Sequence, residues 1–321
     1  MSRAPSAPAR PVAAEASSPD AARRSSAARR RAILAVLGAA ATFALAAAAV
    51  KALGGALPTA EVVLFRNLFA LPALLPLALA NGGLAAFRTR DPWGHAQRAA
   101  WGLLGMWGAF YGYAALPLTT VTALGFTMPL FLTALSVPLL GERVEPRRLA
   151  AAAVGFLGVL LMLRPGGVAS GEAAPDPVAV GLVLAGAFGW AMAMISIRRM
   201  GERGESGTTI VLWFAVACSV VSFALALPGW VWPTAMQWAL LAVVGLVSAL
   251  AQILMTSAYR AGEPTLIAPF EYSGILWTTA LGAAIWAEWP DGWDVAGVAV
   301  LVACGLYIWR REAASSPTAP R

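Results

Sequence analysis

The chain has 321 residues, 59% of them hydrophobic and only 12% charged, with a mean hydropathy of +0.71. Soluble domains run nearer 45–50% apolar and about 25% charged, so an ordinary soluble globular enzyme is excluded and repeated membrane spans are indicated. Much of the net charge of +7 comes from residues 1–31, where seven arginines face only Glu15 and Asp20, so the basic balance is a tail effect and not a nucleic-acid footprint.

Residues 1–31 are rich in Ala, Pro, Ser and Arg without hydrophobic periodicity, and are expected to form a disordered basic cytoplasmic tail. The apolar run from Ala32 to Val50 exceeds the 7–15-residue core of a signal peptide. It is expected to be retained as a first span. Spans need about 20 mostly apolar residues, and walking the chain predicts ten: 32–51, 59–79, 97–115, 118–140, 147–164, 178–198, 208–227, 235–258, 264–286 and 293–310. The breaks are explicit, as at Asn81-Gly82-Gly83, Arg88 to Pro92, Gly141 to Pro146, Arg164 to Pro177 and Gly201 to Gly207. Helices follow, not a barrel, because the stretches are continuously apolar and not alternating. Residues 313–321 are read as a second disordered tail.

With the N-terminus in the cytoplasm, 20 of the 23 basic residues fall in inside segments, only Lys51 and Arg164 fall outside, and Arg66 lies within a span. That asymmetry supports ten spans with both termini cytoplasmic, in the cell's inner (plasma) membrane. Eight of the 13 tryptophans sit near span ends, as an interfacial belt requires.

The two halves, 32–165 and 178–312, joined by a linker at 166–177, resemble each other weakly. Glu142/Glu288, Glu145/Asp291 and Arg164/Arg310 match at an offset of 146, and Gly158/Gly305, Phe43/Trp190 and Lys51/Arg198 at 147. Five spans per half is an odd number, so the halves must lie in opposite orientations. Inverted repeats of this kind, with a site near the midplane, are a transporter architecture.

Three segments carry a likeness to a known family: LFRNLFALP (64–72), LLGERVEPRRLAAAAVGFLGVLLM (139–162) and APFEYSGILWTTALGAAIWAEWPDGWDVAGVAVLVACGLYIWRRE (268–312). Over residues 32–312 the chain resembles the ten-span EamA-type members of the drug/metabolite transporter superfamily. The resemblance implies an all-α membrane protein of two inverted five-helix bundles around a central cavity, working by alternating access. It also implies substrates such as amino acids, riboflavin, S-adenosylmethionine or nucleotide-like metabolites. The C-terminal segment is nearer to the vitamin and S-adenosylmethionine members. One departure stands out, Ala287-Glu288 where the family usually has Gly-Glu.

Charged groups within spans are costly, at roughly 2.5–3.5 kcal/mol near the bilayer centre on insertion scales, so each needs a reason. Glu271 in span nine is read as a proton-coupling carboxylate or a counter-ion for a cationic substrate, against a purely structural carboxylate; Pro264 and Pro269 would open the helix beside it. Arg66 either contacts a substrate carboxylate or phosphate or braces a neighbouring helix. Lys51, the only lysine, is read as an interfacial scaffold residue with Glu61 as partner, with substrate contact as the alternative. His95, the only histidine, is expected to be a solvated loop residue, with pH sensing as the alternative.

Among aromatic and polar residues at membrane depth, Trp107 and Tyr111 share a face of span three, Trp190 lies near the middle of span six, and Gln252 and Tyr272 add polar handles. These five are the expected substrate contacts, with helix packing as the alternative. Gly102, Gly105, Gly108 and Gly112 on span three allow close packing or leave room for a ligand. No phosphate loop, dinucleotide fingerprint, metal-ligand cluster or hydrolase triad is legible, so no catalytic residue, cofactor or metal is expected. The expected partners are a small-molecule substrate and the lipid bilayer, with the chain a monomer or homodimer. The competing reading is a non-transporting membrane enzyme or sensor with a ligand-binding helical cavity.

Overall fold

The computed structural model describes residues 19–83, 87–140, 146–162, 175–261 and 270–315, and among them every long regular element is an α-helix. These are α1 (Pro19–Ala52), α2 (Thr59–Gly82), α3 (Pro92–Ala115), α4 (Leu118–Gly125), α5 (Met128–Leu140), α6 (Pro146–Met162), α7 (Pro177–Glu202), α8 (Gly207–Ala226), α9 (Ala235–Ala261), α10 (Ser273–Trp286) and α11 (Gly292–Ser315). Several starts are written in the side chains. Asp91 accepts from Gly94 N ahead of Pro92, Asp176 accepts from Val178 N ahead of Pro177, and Ser206 accepts from Thr209 N.

Among the described residues, seven stretches are long and apolar enough to cross a membrane: Arg30–Ala52, Thr59–Pro76, Leu118–Leu139, Pro177–Glu202, Gly207–Gly229, Ala235–Met255 and Gly292–Arg310. The other three predicted spans are helical where described. α3 has the length, but its glycines, tryptophans and tyrosines hold its hydropathy down. α6 and α10 are shorter, and the residues that adjoin them, 163–174 and 262–269, lie outside the described residues, as do Glu142, Glu145, Arg164, Pro264 and Pro269.

The fourth predicted span differs in one respect. It is two helices, α4 and α5, separated at Phe126 and Thr127. Pro129 has no N–H to give and disfavours helical backbone at Met128, while Thr127 Oγ1 donates to Leu124 O at 2.6 Å and closes the end of α4.

The helices pack reciprocally. α1 runs along α9 and α3 along α7; α1 meets α10 as α7 meets α5; α2 lies against α8 and α6 against α11. The heaviest packing therefore joins the two halves of the chain. The α3–α7 crossing is close because it is built on glycine: a Cβ at Gly108 would overlap Leu182 O, and one at Gly189 would lie 2.8 Å from Trp101 O. Buried clusters flank this crossing. Leu124, Leu130, Val183 and Leu301 form one; Val50, Phe65, Leu241 and Val244 form another.

Candidate functional site

Between the interlocked helices lies a half-open cavity of about 410 Å³, within the 300–1,000 Å³ range usual for small-molecule sites. Every main packing layer contributes. Phe43 comes from α1, Arg66 from α2, Phe110 and Tyr113 from α3, Trp190 from α7, Met255 from α9, and Trp309 from α11. The walls are mostly aromatic and aliphatic, and Arg66 and Glu271 place one cation and one anion on the same chamber.

Two helix interruptions meet inside it. Phe126 sits at the break between α4 and α5, and Tyr272 at the turn immediately before α10. Their ring centroids are 4.7 Å apart with the planes tilted by 38°. The two residues are 146 positions apart, the same offset that pairs Glu142 with Glu288. Two glycines seat the aromatic walls. A Cβ at Gly105 would overlap Cδ1 and Nε1 of the Trp190 indole, and a Cβ at Gly305 would overlap the Tyr272 hydroxyl.

Of the residues singled out from sequence, Arg66, Trp190, Glu271 and Tyr272 line this cavity. Trp107 and Tyr111 lie together elsewhere, lining a second apolar pocket of about 240 Å³ with Thr59, Leu103, Leu182 and Leu225. Gln252 is half-buried on α9 and is not among the lining residues of either pocket. Phe43, Phe110, Tyr113, Phe126 and Trp309 were not singled out, although the Phe43/Trp190 match at offset 147 pointed to the first of them.

Lys51 lies beyond the cavity at one end of the bundle, and its partner is not Glu61. Its Nζ is 2.6 Å from Glu288 Oε1, donates to Leu116 O at 2.7 Å and sits 5.6 Å from the Trp286 ring centroid. The other Glu288 oxygen accepts from Leu118 N at 3.2 Å. Glu61 instead is fully buried and accepts from Val231 N at 2.7 Å.

A second clamp closes the opposite end. Glu205 accepts from Thr89 Oγ1 and Asp91 N, both at 2.9 Å, and from Arg90 N, while Arg203 Nη1 reaches Asp91 Oδ2 at 2.6 Å. His95 is buried here and not solvated, because α3 begins at Pro92 and carries it in the first turn, with Nε2 3.9 Å from Glu205 Oε2 and its ring 6.1 Å from Trp213. Burial holds the His95 imidazole below its ordinary pKa against the pull of Glu205 and Asp91. The Gly94 N–H and then Arg203 hold the Asp91 carboxyl below the usual range. Burial pushes Glu205 up, but the donors from Arg90, Thr89 and Asp91 together outweigh it and hold it low.

Residues 30–164 and again 177–310 match the EamA-like transporter family. The chain is 35% identical to a riboflavin transporter of Rhizobium johnstonii over 77% of its own length and 78% of that protein's. It is 30% identical to an S-adenosylmethionine uptake transporter of Rickettsia prowazekii over 80% and 85%, and 32% identical to a pseudopaline exporter of Pseudomonas aeruginosa over 82% and 90%. One solved crystal structure, 19% identical, shares the fold with a TM-score of 0.61 over 91% of this chain and 99% of its own.

Proposed function

Because the chain belongs to the EamA-like transporter family, we propose that it carries a small organic metabolite across the inner membrane by alternating access around the central cavity. The observation that carries this reading is the cavity itself: an aromatic chamber with Arg66 and Glu271 on its walls, lined from both matched segments. Ten spans as two inverted five-helix repeats are supported by the reciprocal packing and by the paired interruptions at Phe126 and Tyr272. Discontinuous helices at corresponding positions of two repeats are where transporters of this design hold their cargo.

Substrate contact is assigned to Trp190 and Tyr272, with Phe126 as the residue opposite. Their faces suit a planar group. Arg66 is the partner for a carboxylate or phosphate, and Glu271 is a counter-ion for a cationic group or the carboxylate that couples protons. Trp107, Tyr111 and Gln252 are assigned to packing. The cytoplasmic location of both termini rests on the distribution of arginine.

Reconstituted protein in liposomes, loaded with a metabolite panel that includes riboflavin and S-adenosylmethionine, tests the reading. At least one compound should show saturable exchange, and Trp190→Ala should weaken it about tenfold while melting within a few degrees of wild type. Folded protein that neither binds nor exchanges any member of the panel would count against transport. Exchange that survives Trp190→Ala unchanged would remove that residue from the site.

A further inference from the structure

Two cations meet the same side-chain cluster between α2, α3 and α8, and among the described residues neither has a carboxylate in ion-pair range. The cluster is formed by Val63, Met106 and Cys218, with Phe214 and Trp107 packed against it. Arg66 enters from α2, its Nη1 3.0 Å from Met106 Sδ and 3.3 Å from Asn67 Oδ1. Arg98 enters from α3 with its Cζ 3.9 Å from the Phe214 ring centroid.

The direction taken by Arg98 is the informative feature. It lies near the end of its predicted span, where a long side chain ordinarily turns back to the interface and keeps its charge in water. Instead it runs one turn the other way: a Cβ at Gly102 would overlap Arg98 Nη1, and the guanidinium is held between that glycine and Phe214. Its Nε and Nη1 are buried with no hydrogen-bond acceptor, and Trp107 Nε1 is a further buried donor with none. A ring face offsets part of the cost of a desolvated cation. It accepts no hydrogen bond in the guanidinium plane, and although Arg98 as a whole is only part-buried, its Nε and Nη1 donors are left out of water without an acceptor. Thioether and amide partners on Arg66 are neutral and leave the sum of charge unchanged.

We propose that this cluster is a binding site for a small anion, a halide or a carboxylate, held between Arg98 and Arg66 at the margin of the central cavity. The proposal rests on the protein's own charges and does not depend on the transport reading. A free inorganic ion and the carboxylate of an organic solute present the same chemistry to two guanidinium groups; their sizes differ enough to be separated by experiment.

The test is the melting temperature of the purified full-length protein, in which sodium methanesulfonate, neither a halide nor a carboxylate, is replaced stepwise by sodium chloride or by sodium acetate at constant ionic strength. A ligand of the folded state stabilises it by mass action, so chloride or acetate should raise the melting temperature saturably by several degrees. Arg98→Met should melt at a temperature indifferent to the anion. Arg98→Lys keeps the charge but loses the planar fork, and should need roughly tenfold more anion for half the effect, as expected for one lost charge-assisted hydrogen bond. A response to chloride assigns the site to a free ion; a response to acetate alone assigns it to a carboxylate solute. The same melting temperature in all three salts overturns the proposal, and so does an anion response that Arg98→Met retains.

Discussion

Ala287 closes α10 with φ 56° and ψ 30°, the one non-glycine residue with positive φ among those described. Left-handed backbone costs an L-residue roughly 1–2 kcal/mol, a cost that glycine does not carry. The strained turn lets Glu288 N donate back to Gly282 O at 3.1 Å and brings the Glu288 carboxylate to Lys51. Ala287→Gly should therefore stabilise the protein by about 1 kcal/mol, read as a higher melting temperature with the Lys51–Glu288 pair intact. The glycine seats make the opposite case. Gly105→Ala has no room without moving the Trp190 indole, and Gly305→Ala none without moving the Tyr272 hydroxyl. Each should cost about 1–3 kcal/mol and weaken substrate binding by about the same factor as truncating the aromatic it displaces. Gly181→Ala, where a new Cβ meets nothing, is the control. If Gly105→Ala binds as tightly as Gly181→Ala, Trp190 is not a substrate contact.

At the scale of elements, helix limits were largely legible because they depend on local chemistry. α2 begins at Thr59 and α9 at Ala235 where the apolar runs do, and Gly/Pro punctuation marks most gaps. α3 begins five residues ahead of its predicted span, because Asp91-Pro92 is a helix start that a hydropathy walk passes over. That shift is why His95 is buried, and it carries a pH dependence. A histidine whose folded pKa lies below its unfolded value of about 6.5 binds protons less readily when folded, so stability falls as pH drops through that range. Asp91 and Glu205 have depressed values, so their contribution is complete above the unfolded carboxylate range near 4 and is lost only below it. Between pH 7 and about 5 the clamp should therefore loosen through His95 alone. His95→Gln should flatten the decline in melting temperature over that interval, while Asp91→Asn, which removes one of the charges that pull the imidazole pKa up, should leave the decline at least as steep. A decline of equal steepness in His95→Gln would assign the dependence to other groups.

For the whole molecule, what the sequence lacked was rotation. Trp107 and Trp190 carried the same credentials, an aromatic in a glycine-rich span, yet only Trp190 faces the cavity. Which face of a helix turns inward is settled by α3 packing on α7 and α1 on α9, contacts between residues far apart in the chain that no local pattern encodes. The same interlocking gives the two clamps their meaning. Lys51–Glu288 ties the end of α1 to the α3–α4 connection and the end of α10, while Asp91, Glu205 and Arg203 tie the turn before α3 to the turn before α8. The cavity lies between them. The alternating access proposed above requires one clamp to open while the other holds, so loosening either should bias the molecule towards opening on that face. In the topology proposed from the arginine distribution, Lys51 lies outside and Arg203 inside. Thr122 lines the cavity near the Lys51 end, and in a Cys218→Ser, Cys304→Ser background Thr122→Cys reports access from that side. An impermeant maleimide added to intact cells should label it several-fold faster when Lys51→Gln is added and more slowly when Asp91→Asn is added. Equal rates in all three would mean that the clamps are static braces. Faster labelling with Asp91→Asn and slower with Lys51→Gln would invert the topology, and with it the sidedness inferred from the arginines.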